Sequence, residues 1–272
     1  MILVELRKLV RRPRTWVTIG LLDALPTLVA ILLAITDLGP RAGTGPPFLS
    51  AVLSDGTLFP LAALGIVLPL FLPVAVAVVA GEAVAGEAQG GTLRYLLVRP
   101  VGRTRLLMAK LVSVIAFVVL TVVVVAATGY VTGALLLGDQ PLQTTLTTSV
   151  SGSALSATEV WQRTGLAMGY VMISMLGVAA VALFFSTLTD TPLSAALGAL
   201  ALLIASTLLL TLDAADALAP YLPTRYWLAF IDLFRDPILW RDVVRGALQQ
   251  GAYVLVFLGA AWANFTTKDI TS

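Results

Sequence analysis

The chain of 272 residues contains no cysteine and no histidine. Without cysteine there is no disulfide framework, and the redox compartment leaves no mark on the sequence. Without histidine the commonest metal ligand and the usual proton shuttle are both missing. Nucleophile–base pairs built on Cys or His are excluded, as is a His-bound catalytic zinc. Lysine occurs only as Lys8, Lys110 and Lys268. A phosphate-binding loop needs Gly-Lys followed by Ser or Thr, so that backbone amides and the lysine can hold phosphates. Here the lysines precede Leu9, Leu111 and Asp269, and none follows glycine. This chain therefore does not bind ATP through such a loop. Charge is scarce overall: 12% of residues are charged, against about a quarter in soluble proteins. The formal net charge of +2 is too small to point to a nucleic-acid partner.

What the chain has instead is apolar length. Hydrophobic residues make up 58% of it, gathered into uncharged runs long enough to cross a bilayer. The runs predict an all-α polytopic membrane protein with six spans, at about 16–36, 58–80, 106–137, 164–188, 192–212 and 246–266. One transmembrane domain over 1–272 is expected, with no nucleotide-binding domain. Before the first span, residues 1–14 hold five basic residues and one acid. Leu3, Leu6 and Val10 share one face and Arg7, Lys8, Arg11 and Arg12 lie elsewhere. That pattern predicts a short amphipathic helix at the membrane interface, ended by Pro13. The apolar run that follows is too long for the h-region of a signal peptide.

Inside the spans, polar and irregular residues are the candidates for function. Asp23 lies in the first span, and an intramembrane carboxylate is a functional candidate by default. Its distance from the basic end also allows pairing with Arg14 or contact with interfacial water. Pro60, Pro69 and Pro73 fall in the second span and predict irregular turns, tolerated where neighbours satisfy the freed carbonyls. Pro69 and Pro73 are candidates for lining a pathway. Met168, Met172 and Met175 recur on one face of the fourth span. Core packing is the first expectation for them, and a greasy substrate surface including Met172 the second. Residues 138–163 read as a polar outer loop. Residues 213–245 bring five acids, four arginines and a run of aromatics, as at a membrane–water boundary.

The most informative stretch is 81–111, a polar insert between two apolar runs. Gly90-Gly91 breaks the helix that leaves the membrane, and Thr92 is a candidate N-cap for a new one. Leu93, Leu96 and Leu97 then form an apolar stripe at i, i+3 and i+4, with Arg94, Tyr95 and Arg99 on the other side. Pro100-Val101-Gly102 turns the chain, and Thr104 is placed to cap the next span. Composition alone leaves this as a basic, solvated loop. The residues also resemble the segment after the second span in permease subunits of type-2 ABC exporters. The resemblance is carried by Glu82, Glu87, Gly91, Thr92, Leu93, Leu96, Leu97, Pro100, Arg103, Ala109 and Lys110. It implies that this segment is a coupling helix docking on a separate ATPase, with Arg94 and Arg99 beside the motif. The same resemblance implies two soluble P-loop ATPase subunits, with ATP and magnesium bound on them, and a second permease copy or a sister permease. It further implies export across the plasma membrane and short re-entrant or lateral helices before the last span.

Basic residues are densest in the N-terminal segment and in 81–105. The positive-inside rule therefore predicts that both termini and this insert are cytoplasmic. No catalytic residue and no metal site is expected in the chain. The scarcity of buried charge favours an apolar or amphipathic cargo, drawn past membrane lipid. The competing reading is a non-transporting membrane scaffold or assembly factor with a cytoplasmic docking helix. A neighbouring reading frame for a soluble P-loop ATPase separates the two.

Overall fold

A computed structural model describes residues 2–36, 56–91, 102–137, 146–149, 151 and 153–267. Almost all of them are helical. Helix α1 (Ile2–Arg11) is followed directly by α2 (Pro13–Ile35), which forms the first span. Pro13 stands in the first turn of α2, where a missing N–H costs nothing. The proline thus opens the span as well as closing α1.

The second span is not continuous over 58–80. A 3-10 turn, Gly56–Leu58, leads into α3 (Phe59–Val67), and the helix restarts as α4 (Phe71–Gln89). The break at 68–70 contains Pro69, which is exposed. Pro60 and Pro73 each fall in the first turn of a piece, where no intrahelical donor is lost. Helix α3 is enclosed along most of its length: Phe59, Leu61, Ala62, Ala63, Leu64 and Val67 are all buried. It nests on α5 (Arg103–Leu136). The fit depends on two glycines of α5. A Cβ at Gly129 would stand 3.0 Å from Ala63 Cβ, and one at Gly133 would collide with the carbonyl of Gly56.

Helix α5 has 34 residues, or about 51 Å at 1.5 Å per residue, so it outruns a hydrocarbon core of roughly 30 Å. Its β-branched run Val122–Val123–Val124–Val125 still forms a helix, because within lipid every backbone group must bond inside its own segment. The described residues of 138–163 differ from the expected loop. A two-stranded antiparallel hairpin pairs β1 (Leu146–Thr148) with β2 (Ala154–Ser156), in register Thr147 to Leu155. The fourth span, α6 (Ala157–Leu188), starts directly after it. Its start is fixed by a capping box: Glu159 N–H donates to Ser156 Oγ at 3.3 Å, and Ser156 N–H donates to Glu159 Oε2 at 2.8 Å.

Helix α6 is the most enclosed of the six helices long enough to span a bilayer among the described residues. It packs against α4, α5, α7 (Pro192–Leu209) and α8 (Trp240–Thr267). The starts of α6 and α8 carry a cover of 3-10 turns, Asp213–Ala215, Ala219–Tyr221 and Trp227–Phe234. Side chains of the spans satisfy the carbonyls of this irregular cover. Arg163, which is buried, donates to Leu233 O at 3.2 Å and Arg235 O at 2.7 Å. Tyr170 donates to Tyr226 O at 2.6 Å, and Gln250 to Pro223 O at 2.7 Å. Gln250 lies over Gly177, where a Cβ would meet its side-chain oxygen. By contrast α2, α7 and α8 expose long apolar faces, including Leu21, Leu28, Leu197, Ile204, Leu248 and Leu255. Lipid or another subunit must cover them.

Candidate functional site

At the end of the bundle that carries α1, charged side chains from four helices converge. Lys110 sits near the start of α5 with its side chain only 6% exposed. A buried ammonium needs compensating carboxylates, and it has two. Glu87, near the end of α4, pairs with it directly, and Glu5 of α1 stands 3.2 Å away. Lys8 adds a second cation, 3.5 Å from Glu5 and 3.7 Å from Glu87. One turn deeper on α4, Glu82 pairs with Arg14, and Arg12 lies 3.9 Å from the same carboxylate oxygen. Three acids and four bases thus tie α1 and the start of α2 to α4 and α5.

The same end is held by neutral contacts. Ser186 of α6 is buried and its hydroxyl joins α4 at three points. It accepts from Val84 N at 3.0 Å and Ala85 N at 2.9 Å, and donates to Gly81 O at 2.6 Å. Gly81 also lets α7 come close to α4, since a Cβ there would lie 3.0 Å from Ala196 N of α7. Val84, Leu106, Leu107, Leu183 and Phe265 form a separate apolar cluster joining α4, α5, α6 and α8. Arg103 opens α5 and donates to the carbonyls of Phe265 and Thr266 at 3.3 and 2.9 Å, closing the last turn of α8. Trp262 donates to Thr104 Oγ1 at 3.0 Å. The N-cap of α5 is Gly102, so Thr104 is a partner of the last span and not a cap.

The insert between the second and third spans therefore starts and ends on anchored ground. It leaves α4 through Gly91, whose φ of +64° suits glycine, and returns at Gly102. Of the residues that resemblance assigns to coupling, Glu82, Glu87, Gly91 and Arg103 are described. Glu87 and Arg103 turn toward the bundle, where they hold other helices. Thr92, Leu93, Arg94, Leu96, Leu97, Arg99 and Pro100 lie outside the described residues.

The four pathway candidates do not meet. Asp23 accepts a hydrogen bond from Thr128 of α5. Arg14, which the sequence allowed it as a partner beside interfacial water, pairs with Glu82. Pro69 is exposed at the break between α3 and α4, whereas Pro73 is buried. Met172 packs against the main core, beside the fully buried Met175. A cleft of about 780 Å³ opens at the α1 end and includes none of the four. It is lined by the charged cluster together with Thr15, Thr18, Val78, Val79, Ser113 and Val114. Among the described residues, no group of three or more acidic side chains is arranged to hold a metal ion.

The ion-pair cluster was hard to find from sequence. Glu5 and Lys110 are separated by 105 positions. The available signal was a lone lysine at the mouth of an apolar run, which requires a carboxylate from elsewhere.

Comparison with known proteins agrees with the architecture. The sequence model of the family described as "ABC-2 family transporter protein" matches residues 1–197. That range takes in α1, the first four spans, the charged cluster and the insert, and ends inside α7. No curated protein matches the chain. The match covers well over half of the 272 residues, and the chain belongs to the ABC-2 transporter family, as a multi-pass membrane permease.

Proposed function

We propose that the chain is the membrane-spanning subunit of an ATP-driven exporter whose ATPase is a separate protein. Two permeases, identical or sister chains, assemble with two ATPase chains that bind ATP and magnesium. The insert at 92–101 docks on the ATPase as a coupling helix through Leu93, Leu96 and Leu97. Arg94 and Arg99 make contacts at its rim. Both termini and the insert are cytoplasmic, and the membrane is the plasma membrane.

The observation that carries this reading is the anchoring of both ends of the insert. A helix that transmits force must not pivot freely at its base. On the α4 side, Glu87 is tied to Lys110 and Ser186 clamps residues 81–85 to α6. On the α5 side, Arg103 holds the end of α8. A push on the insert thus reaches the second, third, fourth and sixth spans together. Closure of the ATPases on ATP then rocks the two permeases against each other and opens a path outward. The exposed apolar faces of α2 and α7 are the surfaces for the second permease. The cargo is apolar or amphipathic, since the spans offer few buried charges along their length.

The test is co-reconstitution with a soluble P-loop ATPase, the first candidate being any encoded in an adjacent reading frame. Inside-out vesicles holding both proteins should accumulate cargo from a panel of apolar and amphipathic compounds when ATP is supplied. Accumulation should stop when either protein is omitted. Stable association with no ATP-dependent accumulation of any compound would favour the scaffold.

A further inference from the structure

We infer that the cleft at the α1 end is a binding site for the phosphate headgroup of an anionic membrane phospholipid. Three features lead there. The first is the position of α1. Its Leu3 and Val10 are exposed, 81% and 52%, with the exposed Arg7 and Arg11 along one side of them. An apolar stripe flanked by arginine lies flat at headgroup depth, with the apolar side in the acyl boundary. The opposite side of α1 carries Glu5 and Lys8, and these line the cleft.

The second is the charge order within the cleft. Lys8, Arg12 and Arg14 stand at the rim with side chains about half exposed, whereas Glu5, Glu82 and Glu87 are more buried. Arg12 and Arg14 both approach one oxygen of Glu82. One carboxylate thus gathers two guanidiniums and neutralises one of them. Each guanidinium has five N–H donors. Arg12 at 3.9 Å is beyond hydrogen-bond distance from Glu82, and its side chain is 45% exposed. Counting Lys110, the lining has four cations and three carboxylates, an excess that suits one phosphodiester.

The third is the deeper wall. Val78 and Val79 of α4 and Val114 of α5 continue the cleft toward the bilayer interior. A soluble phosphate has no use for that wall, but the glycerol and first carbons of a lipid do. The cleft volume, about 780 Å³, falls within the usual range for a ligand site, roughly 300–1,000 Å³. Basic pockets on the headgroup side of helical bundles take lipid phosphates by this chemistry.

The experiment uses the full-length chain in nanodiscs of equal phosphatidylglycerol and phosphatidylcholine with matched acyl chains. After gentle extraction, the lipid that stays on the protein is read by native mass spectrometry. Each basic side chain set against a bound headgroup favours an anionic lipid by about five-fold, so the lipid retained in the cleft should favour phosphatidylglycerol by at least that factor. Arg12→Gln with Arg14→Gln should return the ratio to one. Glu82→Gln removes the competing carboxylate and should raise the ratio above that of the unaltered protein. A merely structural Arg–Glu pair gives no such opposite signs. Arg241→Gln, at the far end of the bundle, should change nothing. A ratio near one in the unaltered protein overturns the proposal, as does a ratio that Glu82→Gln leaves unchanged or lowers. Release of the bound lipid by millimolar glycerol phosphate would also overturn it, in favour of a soluble phosphate site. Should the double arginine variant fail to fold, the Glu82→Gln comparison decides alone.

Discussion

Replacing Lys110 with methionine keeps an unbranched apolar stem of similar length and removes only the charge. The structure sets the size of the effect. Glu87 and Glu5, with side chains 13% and 16% exposed, both lean on this one ammonium. Removing one partner of a buried ion pair commonly costs about 3–5 kcal/mol, because the orphaned charge stays out of water. Here Lys8 remains 3.5 and 3.7 Å from the two acids and compensates in part. With that partner left, the expected loss falls at or just below the low end, about 2–3 kcal/mol. The assay is reversible unfolding of the purified chain in mixed micelles. Glu87→Gln in the Lys110→Met background supplies the sharper reading, since it removes the orphan. That double change should be less harmful than the sum of the single ones, by about 1–2 kcal/mol of coupling. Additive effects, or a Lys110→Met loss no greater than that of the exposed Arg241→Gln, would refute the ion-pair account. Lys110→Met should also lower transport per ATP hydrolysed, because the base of the insert is then loose.

Ser186→Ala deletes three hydrogen bonds between α6 and α4 and should cost about 1–3 kcal/mol; an unfolding midpoint equal to that of the parent would dismiss the clamp. Asp23→Asn keeps an oxygen that accepts from Thr128, so membrane levels and ATP-driven transport should stay within a few-fold of normal. Loss of transport at normal levels would assign Asp23 to the pathway instead. With no native cysteine in the chain, single cysteines at 99 and 151 report topology cleanly. The first should react with an impermeant maleimide only in inside-out vesicles and the second only in intact cells, and the reverse pattern would invert the bundle.

The spans were legible because lipid imposes one rule on them. An uncharged run of some twenty residues has to be a helix there, whatever the intrinsic preference of its valines. The amphipathic α1 was legible for a similar reason, from the placement of Leu3, Leu6 and Val10. Three prolines announced trouble in the second span, but not its form. That Pro60 and Pro73 each begin a helix while Pro69 sits in the break depends on how α3 settles on Gly129 and Gly133. The hairpin at 146–156 was not visible, because a Ser/Thr-rich stretch with little charge reads as loop. The candidate site was only half legible. Resemblance picked out Glu82, Glu87 and Arg103 as coupling residues but said nothing of their partners within the chain. Their observed partners, Arg14, Lys110 and the end of α8, come from distant parts of the chain. Burial supplies the reason: a charge at the bundle end is held by whatever opposite group the packing brings near, and sequence spacing does not record that.

The central claim is that residues 92–101 carry ATP energy into the membrane, and one substitution pair addresses it most directly. Leu96→Asp with Leu97→Asp puts two carboxylates on the apolar stripe and leaves the anchors Glu87, Lys110 and Arg103 in place. Apolar anchors at the centre of an interface are commonly worth more than about 1–2 kcal/mol each, and rim charges less. Measured by co-purification and by cargo-stimulated ATP hydrolysis in vesicles, the paired change should abolish both. Arg94→Ala should leave them largely intact, and the variant permease should reach the membrane at normal levels. Full ATPase association and hydrolysis in the Leu96→Asp, Leu97→Asp protein would contradict the account.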